Sequence, residues 1–224
     1  CVGAVSVHDG GWNWIAGTST DKVGNYRFVA PEGEYSLTAS GCDNSSDLVR
    51  AFQDGSPMWT EPAPTLRLTA GSNVARDFQL HIGGRVEGSV LSTDGTPAVG
   101  VCVSVMDADS MRKDQWRSVG WSRVEADGSW RTEAVLPGEY LVHYSNCDQH
   151  GNWYEGGLWV PEFHDGLLQP LLNNVDDIDT VQVGVGANPP LKADLLRAAR
   201  VKGRITNEGV PAGGAGMQAA VAPN

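Results

Sequence analysis

Basic residues are scarce in this chain. It carries 16 Lys and Arg against 27 Asp and Glu, a formal net charge of -11 over 224 residues. Phosphate binding needs clustered Lys and Arg, so this balance argues against nucleic acid as a partner. It suits a protein kept apart from its copies by repulsion. Long apolar runs are also missing. No stretch approaches the ~20 residues of a membrane-crossing helix, so no membrane span is expected. No basic segment followed by an apolar one opens the chain, so no signal peptide is expected within it. The recognisable motifs of catalysis are absent as well. There is no H-x-x-x-H, H-E-x-x-H, G-x-S-x-G or P-loop, and no G-x-G-x-x-G opening a helix. No C-x-x-C offers a zinc site. With no nucleophile, base or metal constellation to assemble, the expectation is a non-enzyme without metal or cofactor.

Sustained helical periodicity is lacking too. The best candidate, Leu191 to Arg200, also reads as a closing strand followed by the start of another, and we adopt that reading. What the chain has instead is 28 Gly and 12 Pro between short alternating runs. Val101, Val103 and Val105 alternate with Cys102, Ser104 and Met106. Tyr35, Leu37 and Ala39 alternate with Ser36 and Thr38, and Tyr140, Val142 and Tyr144 with Leu141 and His143. Val86, Ser89, Val90 and Leu91 make another run. Period two over such lengths, broken by Asp94-Gly95-Thr96-Pro97 and Asp127-Gly128, predicts an all-β sandwich.

Two of these stretches are versions of one pattern. Residues 24–43 read GNYRFVAPEGEYSLTASGCD and residues 128–148 read GSWRTEAVLPGEYLVHYSNCD. Each has G-E-Y followed by a Cys seven residues past the Tyr. The repetition extends further. Val86-Glu87-Gly88 matches Val201-Lys202-Gly203, and Gly95-Thr96-Pro97-Ala98 matches Gly209-Val210-Pro211-Ala212. Recurrence at this period predicts an array of like modules.

The order G-x-V, G-x-P, G-V-x-V, then D-G-x-aromatic, then L-P-G-E-Y resembles the carboxypeptidase regulatory-like domain. The match runs fully from Gly83 to about Tyr144, covers residues 1–43 without the first strand, and covers 199–224 as a beginning only. The resemblance implies tandem immunoglobulin- or transthyretin-like β-sandwich modules, a non-catalytic role and a secreted habit. It divides the chain into 1–80, a module lacking its first strand; 81–198, a complete module with a long insertion near 150–185; and 199–224, the opening strands of a third module or a donated segment. Cys1-Val2 aligns with Cys102-Val103 in a second strand. Either the sequence is part of a longer tandem protein, or its C-terminal strands complete the first module of another copy.

Four cysteines permit three pairings. The repeat selects Cys1 with Cys42 and Cys102 with Cys147, because each module then closes on itself. A lipid-bearing Cys1, the alternative, would leave Cys42 unpaired. Loops of this length imply about 4 kcal/mol per bridge in the chain-entropy picture, and disulfides imply an oxidising, extracellular or cell-surface setting.

Eight tryptophans remain. Trp130 takes the place of Tyr26 and is expected in the core. Trp12 and Trp14 share a face if extended. Trp116 and Trp121 lie in the corresponding segment, and Trp153 and Trp159 flank the insertion. These six are the candidate ligand or interface aromatics, since exposed rings stack on sugars or on neighbouring modules. His143 is expected at a surface or between modules, and the acidic runs at 107–109 and 176–179 are expected as solvated turns. The expected role is a disulfide-stapled spacer or fibre module that contacts neighbouring modules or copies of itself, with a carbohydrate-binding accessory region, and so a polysaccharide partner, as the alternative.

Overall fold

A computed structural model describes all residues except 9–10, 43–45, 60–61, 114, 155–156, 169–174, 200–203, 208–209 and 212–224. The fold is all-β. The first sheet holds β1 (Val2–His8), β2 (Gly11–Thr18), β3 (Gly33–Ala39), β4 (Ala51–Phe52) and β5 (Leu66–Leu68). Its order is β2-β1-β3-β4, with β5 also pairing β3.

Next in the chain come β6 (Gly84–Arg85), β7 (Glu87–Ser92), β8 (Val101–Asp107) and a short helix α1 (Ala108–Met111). They are followed by β9 (Ser118–Arg123), β10 (Ser129–Arg131), β11 (Gly138–Asn146) and β12 (Glu162–Phe163). The rest are β13 (Val181–Val183), β14 (Gly186–Ala187), β15 (Leu191–Leu195), β16 (Thr206–Asn207) and β17 (Val210–Pro211). One sheet runs β9-β8-β11-β12, with β13 also pairing β11. This connectivity is the same as that of the first sheet.

The second sheet has a facing layer, β10-β7-β15, in which β10 is antiparallel to β7 and β15 is parallel to it. The main core fills the space between these layers. Val86, Val90, Trp130, Ala193 and Leu195 meet Val101, Val103, Val105, Val142 and Tyr144, all buried. Strand alternation explains this set directly, since every second residue of each strand points inward. Gly88 is required at the centre of the layer. A Cβ there would stand 2.0 Å from the Leu191 carbonyl oxygen of the parallel neighbour.

The G-E-Y motif has a local cause. The Tyr140 hydroxyl donates back to the Leu136 carbonyl at 2.8 Å, and that of Tyr35 to Glu32 at 3.5 Å. Each ring is buried and folds over its own glycine, so a Cβ at Gly33 would sit 2.7 Å from the Tyr35 oxygen.

The acidic residues also have local work. Asp94, Asp127 and Asp54 each accept hydrogen bonds from the residue two positions on, closing turns whose glycines have φ of 81°, 88° and 84°. Asp107 caps α1 by accepting from the Ser110 N–H at 2.7 Å, so it belongs to a helix end rather than to a solvated turn. Asp176 lies in a 3-10 turn and meets Arg112 at 2.8 Å.

The two sheets touch through residues 47–59. Val49 donates to the His81 carbonyl, Gly83 donates to that of Asp47, and Asp47 pairs with Arg85 at 2.9 Å. Arg50 pairs with Glu133 at 2.7 Å, and Trp59 packs on the second sheet's core.

Candidate functional site

The four cysteines form two bridges, Cys1–Cys42 and Cys102–Cys147, with Cα–Cα distances of 4.9 and 5.6 Å. The strand register explains the second. Cys102 and Ser145 are cross-strand partners on β8 and β11, which brings Cys147 beside the start of β8. Cys1 likewise precedes β1, whose Val2 pairs with Ala39 of β3.

Side chains of the second sheet's outer face line up across four strands. Trp121 of β9 pairs with Ser104 of β8, Ser104 with His143 of β11, and His143 with Phe163 of β12. His143 is not at a surface but buried, with its ring 4.9 Å from Phe163 and 5.8 Å from Trp116. The reason is a second apolar cluster on this face. Met106, Ala108, Met111, Leu141, Phe163 and Ile178 cover it, so β11 is buried on both sides.

Trp116, Trp121 and Trp153 remain about half exposed. Trp121 lies against Gly151, and Trp153 bridges to Cys147, so both flank the loop that follows the second disulfide. Trp14 is 61% exposed and belongs to the first sheet, where its ring lies over Gly3 and Gly17. With Arg50, Met58 and the Cys1–Cys42 bridge it lines a cavity of about 360 Å³. Trp12 is in β2 opposite Val7, and its side chain lies outside the described residues. Trp14 and Trp121 thus belong to different sheets.

Trp159 departs from the expectation of a ligand or interface aromatic. It is 5% exposed and part of the main core. Its backbone is clamped by the Asn146 side chain, which donates to the Trp159 carbonyl at 2.7 Å and accepts from its N–H at 3.1 Å. The indole N–H donates to the Val99 carbonyl, and Arg197 sits over the ring at 5.4 Å. Trp130 is buried, as its place in the repeat implies.

One titratable group stands out on the other side of β12, where Glu162 pairs with the core residue Tyr144. Glu162 is 5% exposed, and its pKa is raised to about 7, first by burial and then by Asp165 and Asp194. The neighbouring His164 is lowered by burial and bonds the Tyr144 hydroxyl through Nδ1 at 3.2 Å. In the sequence Glu162 falls with Asp148, His150, Glu155, His164 and Asp165 among what read as scattered loop polar residues, and nothing in that spacing signals its burial. No family model matches the chain, and no curated protein or solved structure is significantly similar to it.

Proposed function

We propose that this chain is a non-catalytic structural and interaction protein, a disulfide-stapled spacer or fibre segment built from like β-sandwich modules. The observation that carries the reading is the shared connectivity. Strands β2-β1-β3-β4 with β5 and strands β9-β8-β11-β12 with β13 follow one plan, and each is closed by its own disulfide. That supports residues 1–80 and 81–198 as two modules, and 199–224 as the opening of another or a donated segment. It also accords with the resemblance to carboxypeptidase regulatory-like domains. Two disulfides fit an oxidising, extracellular or cell-surface setting. The chain's partners on this reading are neighbouring modules or its own copies.

Mechanical extension of the chain from its two ends tests the spacer role. With bridges intact, the segments of 41 and 45 residues stay hidden from force. Reductant then releases about 300 Å of extra length at roughly 3.5 Å per residue. No added length on reduction would remove the spacer reading.

A carbohydrate-binding role is the second reading, supported by half-exposed Trp121 of the second sheet and Trp116 and Trp153 in the segments beside it. Sugar rings stack on such faces. Retention on insoluble polysaccharide, lost in Trp116→Ala and Trp121→Ala, supports it, and passage of the parent chain unretained ends it.

A further inference from the structure

The two like sheets differ in what covers their inner faces. In the second, β7 lies between β10 and β15. The first sheet has counterparts of both flanks, fixed by register. Tyr26 corresponds to Trp130, since each follows a Gly at a tight turn. Leu68 pairs with Gly33 as Val183 pairs with Gly138, which places Arg76 where Leu191 stands. Among the described residues no strand lies between 25–30 and 74–80, and neither segment makes a ladder hydrogen bond.

The side chains record the vacancy. Tyr26, Phe28, Phe78 and Leu80 alternate with exposed neighbours and are themselves only partly buried. Their counterparts Trp130, Thr132, Ala193 and Leu195, on either side of β7, are buried. A groove of about 750 Å³ opens here and continues into one of about 430 Å³, with Tyr26 and Val74 lining both. The Tyr26 hydroxyl donates across the gap to the Arg76 carbonyl. A central strand takes two strand spacings, about 9.6 Å, between its neighbours, so its entry displaces the Tyr26 hydroxyl from this bond.

Resting on the reading of the two sheets as like modules, we propose that this groove takes residues 201–207 of a second copy of the chain as its central strand. The segment reads Val201-Lys202-Gly203-Arg204-Ile205-Thr206-Asn207 and repeats β7 and its preceding Val86. Gly203 falls where Gly88 is required by the close parallel neighbour. Val201 and Ile205 fall at the inward positions of Val86 and Val90, and Ile205 is 43% exposed. The hairpin that follows β7 recurs too. Thr206 pairs with Pro211 as Leu91 bridges Pro97. In the transferred register Arg204 stands beside Asp77, as Ser89 stands beside Lys192, an attractive pair. Lys202 stands opposite Arg27, as Glu87 stands opposite Arg131, a repulsive one. Strand addition at an unfilled sheet satisfies backbone groups and buries the alternate side chains. Because donor and acceptor are at different ends, the contact is head to tail, giving a ring where the rotation between copies closes and a filament where it does not.

Sedimentation of residues 1–224 across a concentration series tests the proposal, with binding of a labelled peptide of residues 199–213 to residues 1–198. Residues 1–224 form concentration-dependent oligomers, and residues 1–198 stay monomeric and bind the peptide. Gly203→Val and Ile205→Asp peptides bind about tenfold more weakly or not at all. Asp77→Lys in the acceptor weakens binding, and Arg27→Glu strengthens it. A monomeric full chain overturns the proposal, whether its groove is empty or filled by its own residues 201–207. Failure of the peptide to bind, oligomers that persist in residues 1–198, or unimpaired binding of Gly203→Val overturn it as well. Those results leave the spacer reading to the extension experiment, which does not depend on strand transfer.

Discussion

Glu162 and the turn aspartates have opposite pH signatures. Glu162 has a folded pKa of about 7 against an ordinary 4.5, so the folded state holds its proton more tightly. Its contribution is fully present below pH 4.5 and is lost as pH rises through about 7. The whole shift corresponds to about 3 kcal/mol, and screening at the edge strand β12 reduces it to roughly 1–2 kcal/mol. Glu162→Gln should therefore stabilise the protein at pH 8 and flatten the stability profile between pH 4.5 and 7. Urea unfolding at a series of pH values measures this, and an unchanged profile contradicts the assignment. Asp94 is the reverse case. Hydrogen bonds from Ser92 and Thr96 hold its pKa down to about 2, so its stabilisation is present above the ordinary carboxylate value and lost as pH falls towards 2. Asp94→Asn should lower the melting temperature at pH 7, with the difference vanishing near pH 2. A deficit that persists in acid would show that the turn's geometry, not its charge, is what the aspartate provides.

At the scale of elements, the two tryptophan classes should separate cleanly. Trp159 is a core residue clamped by Asn146, so Trp159→Ala should cost about 3–5 kcal/mol. Trp121 is half exposed on the edge strand β9, so Trp121→Ala should stay within about 0.5 kcal/mol. Chemical denaturation of the two variants decides this, and comparable losses would contradict the burial. The contrast also shows what the sequence could carry. The strands, the recurrence of G-E-Y and the cysteine pairing were legible because each is local or repeated. The motif did not announce that Tyr140 bonds a carbonyl only four residues away. The burial of Trp159 and His143 was not legible either. It depends on Asn146 reaching a loop 13 residues on, and on α1, Phe163 and Ile178 covering the outer face of β11. Period-two alternation predicts one buried face, and nothing in it reports a second cover. Met106 and Leu141, apolar at outward positions, were the available sign.

For the molecule as a whole, the disulfides and the unfilled layer matter most. Replacing Cys102 and Cys147 together by Ala should cost about 4 kcal/mol in the chain-entropy picture. A double variant of unchanged stability, measured by thermal unfolding, would contradict the bridge's role. The first sheet should be the weaker of the two, because its Tyr26, Phe28, Phe78 and Leu80 lack the cover that β7 gives their counterparts. The two sheets share one plan and differ in this layer. Amide hydrogen exchange of the native chain, read residue by residue, tests it most directly, since exchange reports local opening. In dilute protein, residues 26–30 and 74–80 should exchange fast while 129–131 and 191–195 are protected. Equal protection of the two sets would contradict the claim.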